Sequence, residues 1–323
     1  FDDLVERCEL VAASYDWETA IPLVTRALSL PDVPPDVAYE LLDTRAIGYR
    51  YAGMFSAGLA DQEQMAALAR EMGDVGRQVR AMYGQVEELA HLGDRAAALE
   101  LAESALSLAM QFGDAQAEAT SLYAIAYVRF QLGDAREVQT YGGRALHLYE
   151  DVGDECGQAL CLRGLSSVAT RTGQPAQGQT AAQRALELCR RVGDREGEAQ
   201  SLAVLGMAVG DRAQARVYYE QALAIAEATG NQVQQATLVN NLSLIYQHTG
   251  LYGRAIDYAE RAVTMAHQTQ ARGNLAYFLD TLARAYLRLG LLERAEQVFV
   301  EGRATAQEVG DRGVEPSYTL GLG

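Results

Sequence analysis

Apolar and small residues recur along this chain at helical spacing, in blocks of about twenty that each close on a glycine. The stretch from Asn240 to Val263 shows the unit most clearly. In its first half Leu242, Ile245 and Tyr246, with the small Ser243, make one apolar face. Gly250 then supplies a turn conformation that residues with a Cβ adopt poorly. In the second half Ala255, Ala259 and Ala262 form a small-residue stripe, which lets the first helix lie close across the second. The pattern predicts a helix, a tight turn and a second helix.

The same unit fills the chain. Glycines stand at 53, 73, 93, 113, 133, 153, 173 and 193, then at 210, 230, 250, 290 and 310, with Gln270 where one more would fall. Asp follows most of them, as in Gly73-Asp74, Gly93-Asp94 and Gly153-Asp154. Glycine ends one helix and aspartate caps the next by accepting from its unpaired N–H groups. A 20-residue period assigns these pairs to turns and caps rather than to phosphate or calcium binding.

Small residues five and twelve positions after alternate glycines set the phase: Ala98 and Ala105, Gly178 and Ala185, Ala295 and Gly302, with Val138 bulkier. An opening pair uses Tyr15-Asp16-Trp17 in place of the glycine, and Pro31, Pro34 and Pro35 separate it from the next. The expectation is eight pairs, over residues 1–34, 35–74, 75–114, 115–154, 155–194, 195–231, 232–271 and 272–311, then a tail or linker at 312–323. Three residues are missing between Gly206 and Gly210, so that helix should be shorter by about 4.5 Å.

The stretch Asn241-Leu242-Ser243, Tyr246, Gly250-Leu251-Tyr252, Ala255-Ile256, Tyr258-Ala259 and Ala262-Val263 resembles a tetratricopeptide repeat (TPR), with Ser243 in the usual glycine slot. The family repeat is about 34 residues; the longer period here is similar to kinesin light chains, Pins-type adaptors and the sensor regions of bacterial STAND regulators. The resemblance implies an all-α, right-handed solenoid whose first helices line a concave groove. It also implies a non-catalytic scaffold or sensor that takes a protein or peptide. A small-molecule sensor, such as the sugar-sensing maltose-activator type, and a self-associating scaffold remain as alternatives.

Counting back from each turn glycine places candidate groove residues. Tyr83, Tyr123, Tyr127 and Phe130 make an aromatic set, and Tyr277 another inward aromatic. Arg163, Arg171, Arg284 and Arg288 make a basic one, able to hold carboxylates or phosphates bidentately. Asn240, Asn241 and Gln247 add amides. Peptide-binding relatives in the kinesin-light-chain and Pins-like groups carry Asn at the Asn241 position. Here it occurs in one repeat, with Gly84, Ala124, Gly164, Val204 and Thr281 elsewhere, so no asparagine ladder forms.

Composition then narrows the classes. Net charge is −16 with no lysine, which disfavours direct nucleic-acid binding. No run near 18 apolar residues suggests a membrane span, and no leader pattern is seen. Cys8, Cys156, Cys161 and Cys189 form no CxxC and read as buried, reduced thiols of a cytoplasmic protein. The four histidines lack metal-ligand spacing, and no P-loop, GxSxG or comparable motif is found, so no metal, cofactor or catalytic site is expected. Starting at Phe1 rather than Met, the chain reads as a piece of a larger bacterial signalling protein.

Overall fold

Aspartate caps and left-handed glycines divide the chain as the period requires. The computed structural model describes residues 2–269 and 272–308. The expected tail, Gly310 and Gln270 lie outside them. Among the described residues there are sixteen helices and no strand. The first four are α1 (Asp2–Ala13), α2 (Trp17–Leu28), α3 (Pro35–Tyr51) and α4 (Phe55–Met72). Then come α5 (Val75–Leu92), α6 (Arg95–Phe112), α7 (Ala115–Gln131) and α8 (Ala135–Val152). They continue as α9 (Glu155–Arg171), α10 (Pro175–Val192), α11 (Arg195–Ala208) and α12 (Arg212–Ala228). The last four are α13 (Gln232–His248), α14 (Tyr252–Gln268), α15 (Arg272–Leu289) and α16 (Leu292–Glu308).

Local chemistry sets each boundary. Asp74, Asp94, Asp114, Asp134, Asp154 and Asp194 each accept from the backbone N–H three residues on. Among the described residues eleven glycines, Gly250 among them, hold positive φ. Tyr15 takes the same left-handed conformation at φ 59°, so the Tyr15-Asp16-Trp17 turn does without glycine. Gly210 departs from the series. It is absent from the positive-φ set, because α11 ends at Val209 in an extended conformation. At 14 residues α11 is three shorter than α9, as the deletion predicts.

Consecutive helices pack antiparallel through small faces. Ala98, Ala102, Ala105 and Ala109 of α6 are buried, as are Ala255, Ala259, Ala262 and Ala266 of α14. The serines in the family's glycine slot are used: Ser243 Oγ donates to Ala255 O at 2.7 Å, and Ser166 Oγ to Gly178 O at 2.6 Å. Three of the four cysteines are buried. Cys156 corrects the expectation for the set, since its place near the start of α9 leaves it exposed. All four are free thiols.

The solenoid closes on itself. Trp17 Nε1 donates to Thr229 O at 3.0 Å, although 212 residues separate them. Tyr51 Oη donates to a Glu196 oxygen at 2.8 Å, and Gly53 lies against Thr269. Helix α3 touches α13, and α5 touches α15. One superhelical turn therefore ends in a seam that joins the early pairs to the late ones, and the groove becomes a chamber.

Candidate functional site

The chamber has a volume of about 610 Å³, within the size range of small-ligand sites. Seven successive pairs line it, the second to the eighth, mostly through their first helices. Phe55 and His91 stand at one side, Tyr83, Tyr123, Tyr127 and Phe130 form the floor, and Arg163, Gly164 and Ser167 continue along α9. Glu196, Gln200, Thr237 and Asn274 face them from later helices.

Two of the floor aromatics are in ring contact. Tyr83 and Tyr123 occupy the same position in successive pairs, with ring centroids 5.8 Å apart. Tyr83 Oη donates to Glu87 Oε1 at 2.6 Å. Burial raises the pKa of Tyr83, Tyr123 and Tyr127, so all three are neutral phenols. His91 stacks on Phe55 at 4.4 Å, and burial lowers its pKa to about 4, which keeps it uncharged near neutrality.

Charge sits at two ends of this floor. At one end Arg50 pairs with Glu87 at 2.8 Å and with the fully buried Glu88 at 3.3 Å. Burial works against the Arg50 charge, and Glu87, Glu88 and Glu196 together more than offset it. Burial lifts Glu88 to about 7, and lifts Glu196 above the usual carboxylate range. Glu196 is positioned by Tyr51 Oη and by Gln200 Nε2 at 3.1 Å. At the other end lies Arg163, only 7 % exposed, whose Nη1 donates to Cys189 Sγ at 3.8 Å. No described carboxylate lies within ion-pair distance of Arg163.

The sequence-derived set divides here. Tyr83, Tyr123, Tyr127, Phe130 and Arg163 come together in the chamber. Arg171 sits outside it, exposed, with its guanidinium 5.3 Å from the Phe130 ring. The amides and the late arginines form no subsite with them. Asn240 has no exposed surface, because its face of α13 is buried in helix packing; neither side-chain amide atom finds a partner. That corrects its expected place at the groove surface. Asn241 is half-buried and does not line the chamber. Gln247 Nε2 donates to Thr281 O at 3.0 Å, joining two pairs. Arg284 pairs with Asp280 at 2.8 Å, while Tyr277 and Arg288 are exposed.

Sequence reasoning passed over Arg50 and Glu196, and read Trp17 only as part of the opening turn. Arg50 was within reach, since it lies three residues before Gly53 at an inward offset. Glu196 lies one turn earlier on its helix than any counted position. The role of Trp17 depends on contacts across the whole superhelix, which no local pattern encodes.

Residues 158–228 and 236–269 each match a tetratricopeptide-repeat family. The chain is a tetratricopeptide-repeat superhelix. Solved structures agree on the fold of this TPR protein. It is similar to a Rap protein complexed with Competence and Sporulation Factor, at 16 % identity and TM-score 0.61, over 99 % of this chain and 95 % of that one. It is similar at 14 % identity and TM-score 0.66 to the APC/C hetero-tetramer Cut9-Hcn1, over 99 % of this chain and 55 % of that one. A Signal Transduction ATPase with Numerous Domains (STAND) protein with a TPR sensor, from Pyrococcus horikoshii, matches at 17 % identity and TM-score 0.55. There the likeness covers 94 % of this chain and 47 % of that one. No curated protein sequence matches the TPR chain.

No described helix is long and apolar enough to cross a membrane. No cluster of three or more metal-ligating side chains occurs among the described residues.

Proposed function

We propose that this TPR chain is a non-catalytic sensing scaffold, working in the cytoplasm as part of a larger signalling protein, that takes a peptide segment into its central chamber. The observation that carries this is the seam. By closing the superhelix it turns an open groove into a chamber of about 610 Å³, walled by neutral phenols, that admits a ligand or a chain segment but no folded domain. Tyr83, Tyr123 and Tyr127 supply rigid amphipathic contact area. Arg163 supplies a guanidinium for an acidic group of the partner. The Rap complex of the same fold carries a bound factor, which accords with such a role.

A blocking variant tests it. Gly164 lines the chamber and has open space around the position of a Cβ, so Gly164→Phe fills part of the volume without a clash at its base. A synthetic peptide pool should raise the melting temperature of the wild-type chain. Gly164→Phe should keep its own melting temperature and lose that response. An undiminished response in Gly164→Phe would place the partner on an outer face. A second reading, a small-molecule effector such as a sugar, is favoured by the chamber volume alone; the same assay with sugars in place of peptides separates the two.

A further inference from the structure

The two ends of the chamber carry opposite, incompletely matched charge. At one end three carboxylates, Glu87, Glu88 and Glu196, share the single guanidinium of Arg50. At the other end Arg163 is a nearly buried cation on the chamber wall, with a thiol as its hydrogen-bond partner and no carboxylate. Leaving a buried charge without a counter-ion is costly, and a ligand that supplies the counter-ion recovers that cost on binding.

A row of neighbouring residues runs from one end toward the other. Glu87 accepts from Tyr83, Tyr83 meets Tyr123, and Arg163 takes the same position one pair further on. The line crosses α5, α7 and α9, so Glu87 and Arg163 stand two helix-to-helix steps apart at the backbone, on the order of 16–20 Å between axes, whereas Glu196, on α11 packed against α9, stands one step from Arg163. We infer that the chamber binds a zwitterionic ligand, its anionic group at Arg163, its cationic group at Glu87 and Glu196, and its body along Tyr83 and Tyr123. This rests on the chamber being the binding site. Two sources share that chemistry: a short peptide with both termini free, and a smaller amino-acid-like zwitterion.

The test needs no variant at first. Thermal shift and titration calorimetry would compare a mixed-sequence pool of short peptides with free termini, the same pool N-acetylated, and the same pool C-amidated. Free arginine would represent the small zwitterion. Each cap should weaken binding about tenfold or more, since each removes one charge-assisted pair. The effect of acetylation should shrink in Glu87→Gln and vanish when Glu196→Gln is added, and that of amidation should vanish in Arg163→Met, each variant checked for wild-type helicity. Response to arginine but to no peptide would keep the zwitterion and overturn the peptide reading. Capped pools that bind as well as the free one would overturn the zwitterion while leaving a peptide site in place. No response to any probe would overturn both.

Discussion

At the residue scale, size is matched across each pair. The slot held by Ser243 and Ser166 faces an alanine nine positions after the turn glycine, Ala259 and Ala182 respectively. Where the facing residue is the large Tyr219, the slot is Gly206, and a Cβ there would meet the Tyr219 ring at 2.7 Å. Gly206→Ala should therefore cost about 1–3 kcal/mol by overpacking. Combined with Tyr219→Ala, the pair should cost less than the sum of the single changes, as a double-mutant cycle in urea would show. Additive effects would mean that the ring moves aside freely. Glu88 makes a second case. Its folded pKa of about 7 lies above the ordinary carboxylate value, so the folded state favours the protonated form. Its contribution is full below the ordinary value, about 4.3, and is lost as pH rises through about 7. Glu88→Gln should thus melt roughly 2–4 °C above wild type at pH 8, with that advantage much smaller at pH 5 and gone below about pH 4. Arg50 keeps Glu87 beside it in the variant, and the His91 titration, common to both proteins, cancels from the difference. A loss of stability at pH 8 would show that the Arg50–Glu88 pair outweighs the cost of burying the carboxylate.

At the element scale, what each turn demands of its glycine differs. Gly250 sits at φ 77°, where a Cβ is strained, whereas Gly210 lies outside the positive-φ set with open space around it. Gly250→Ala should cost about 1–2 kcal/mol, and Gly210→Ala should fall within about 0.5 kcal/mol of wild type. Equal losses in thermal melts would contradict the turn assignment. The contrast also shows what the sequence made legible. Helix number, pairing and the shortened α11 follow from local rules: a glycine every twenty residues, an aspartate after it, and a small stripe on the second helix. Those rules also placed Tyr83, Tyr123, Tyr127 and Phe130 on one surface, because equal offsets from successive turns stack along first helices. They fail where burial is decided between pairs. Asn240 occupies the same offset as Tyr83 and Tyr123, yet its smaller side chain is enclosed by neighbouring helices. Arg284 looked free from its offset and is tied to Asp280 on its own helix.

At the scale of the whole molecule, the seam sets this solenoid apart from a simple stack of repeats. In a repeat protein each unit contacts its neighbours, and stability is nearly a sum of nearest-neighbour terms. Here Trp17, Tyr51 and Gly53 reach across to Thr229, Glu196 and Thr269, adding contacts between pairs far apart in sequence. Those contacts are few beside the apolar packing within each pair, so the seam belongs to the low-stability end of the molecule. Trp17 is the chain's single tryptophan and donates across the seam to Thr229, so its fluorescence senses the seam as well as its packing beside Tyr51 and Gly48. In a urea titration the Trp17 signal should change at a lower concentration than helicity followed by circular dichroism. Small-angle scattering in that interval should show a larger radius of gyration with the helices intact. Tyr51→Phe removes the hydrogen bond to Glu196 and should move the fluorescence midpoint lower while leaving the helical midpoint in place. Coincident fluorescence and helicity transitions in both proteins would mean that closure and folding are one cooperative event. In that event the chamber would be a fixed feature of the folded chain, and a ligand would have to enter along the superhelix axis rather than through an opened seam.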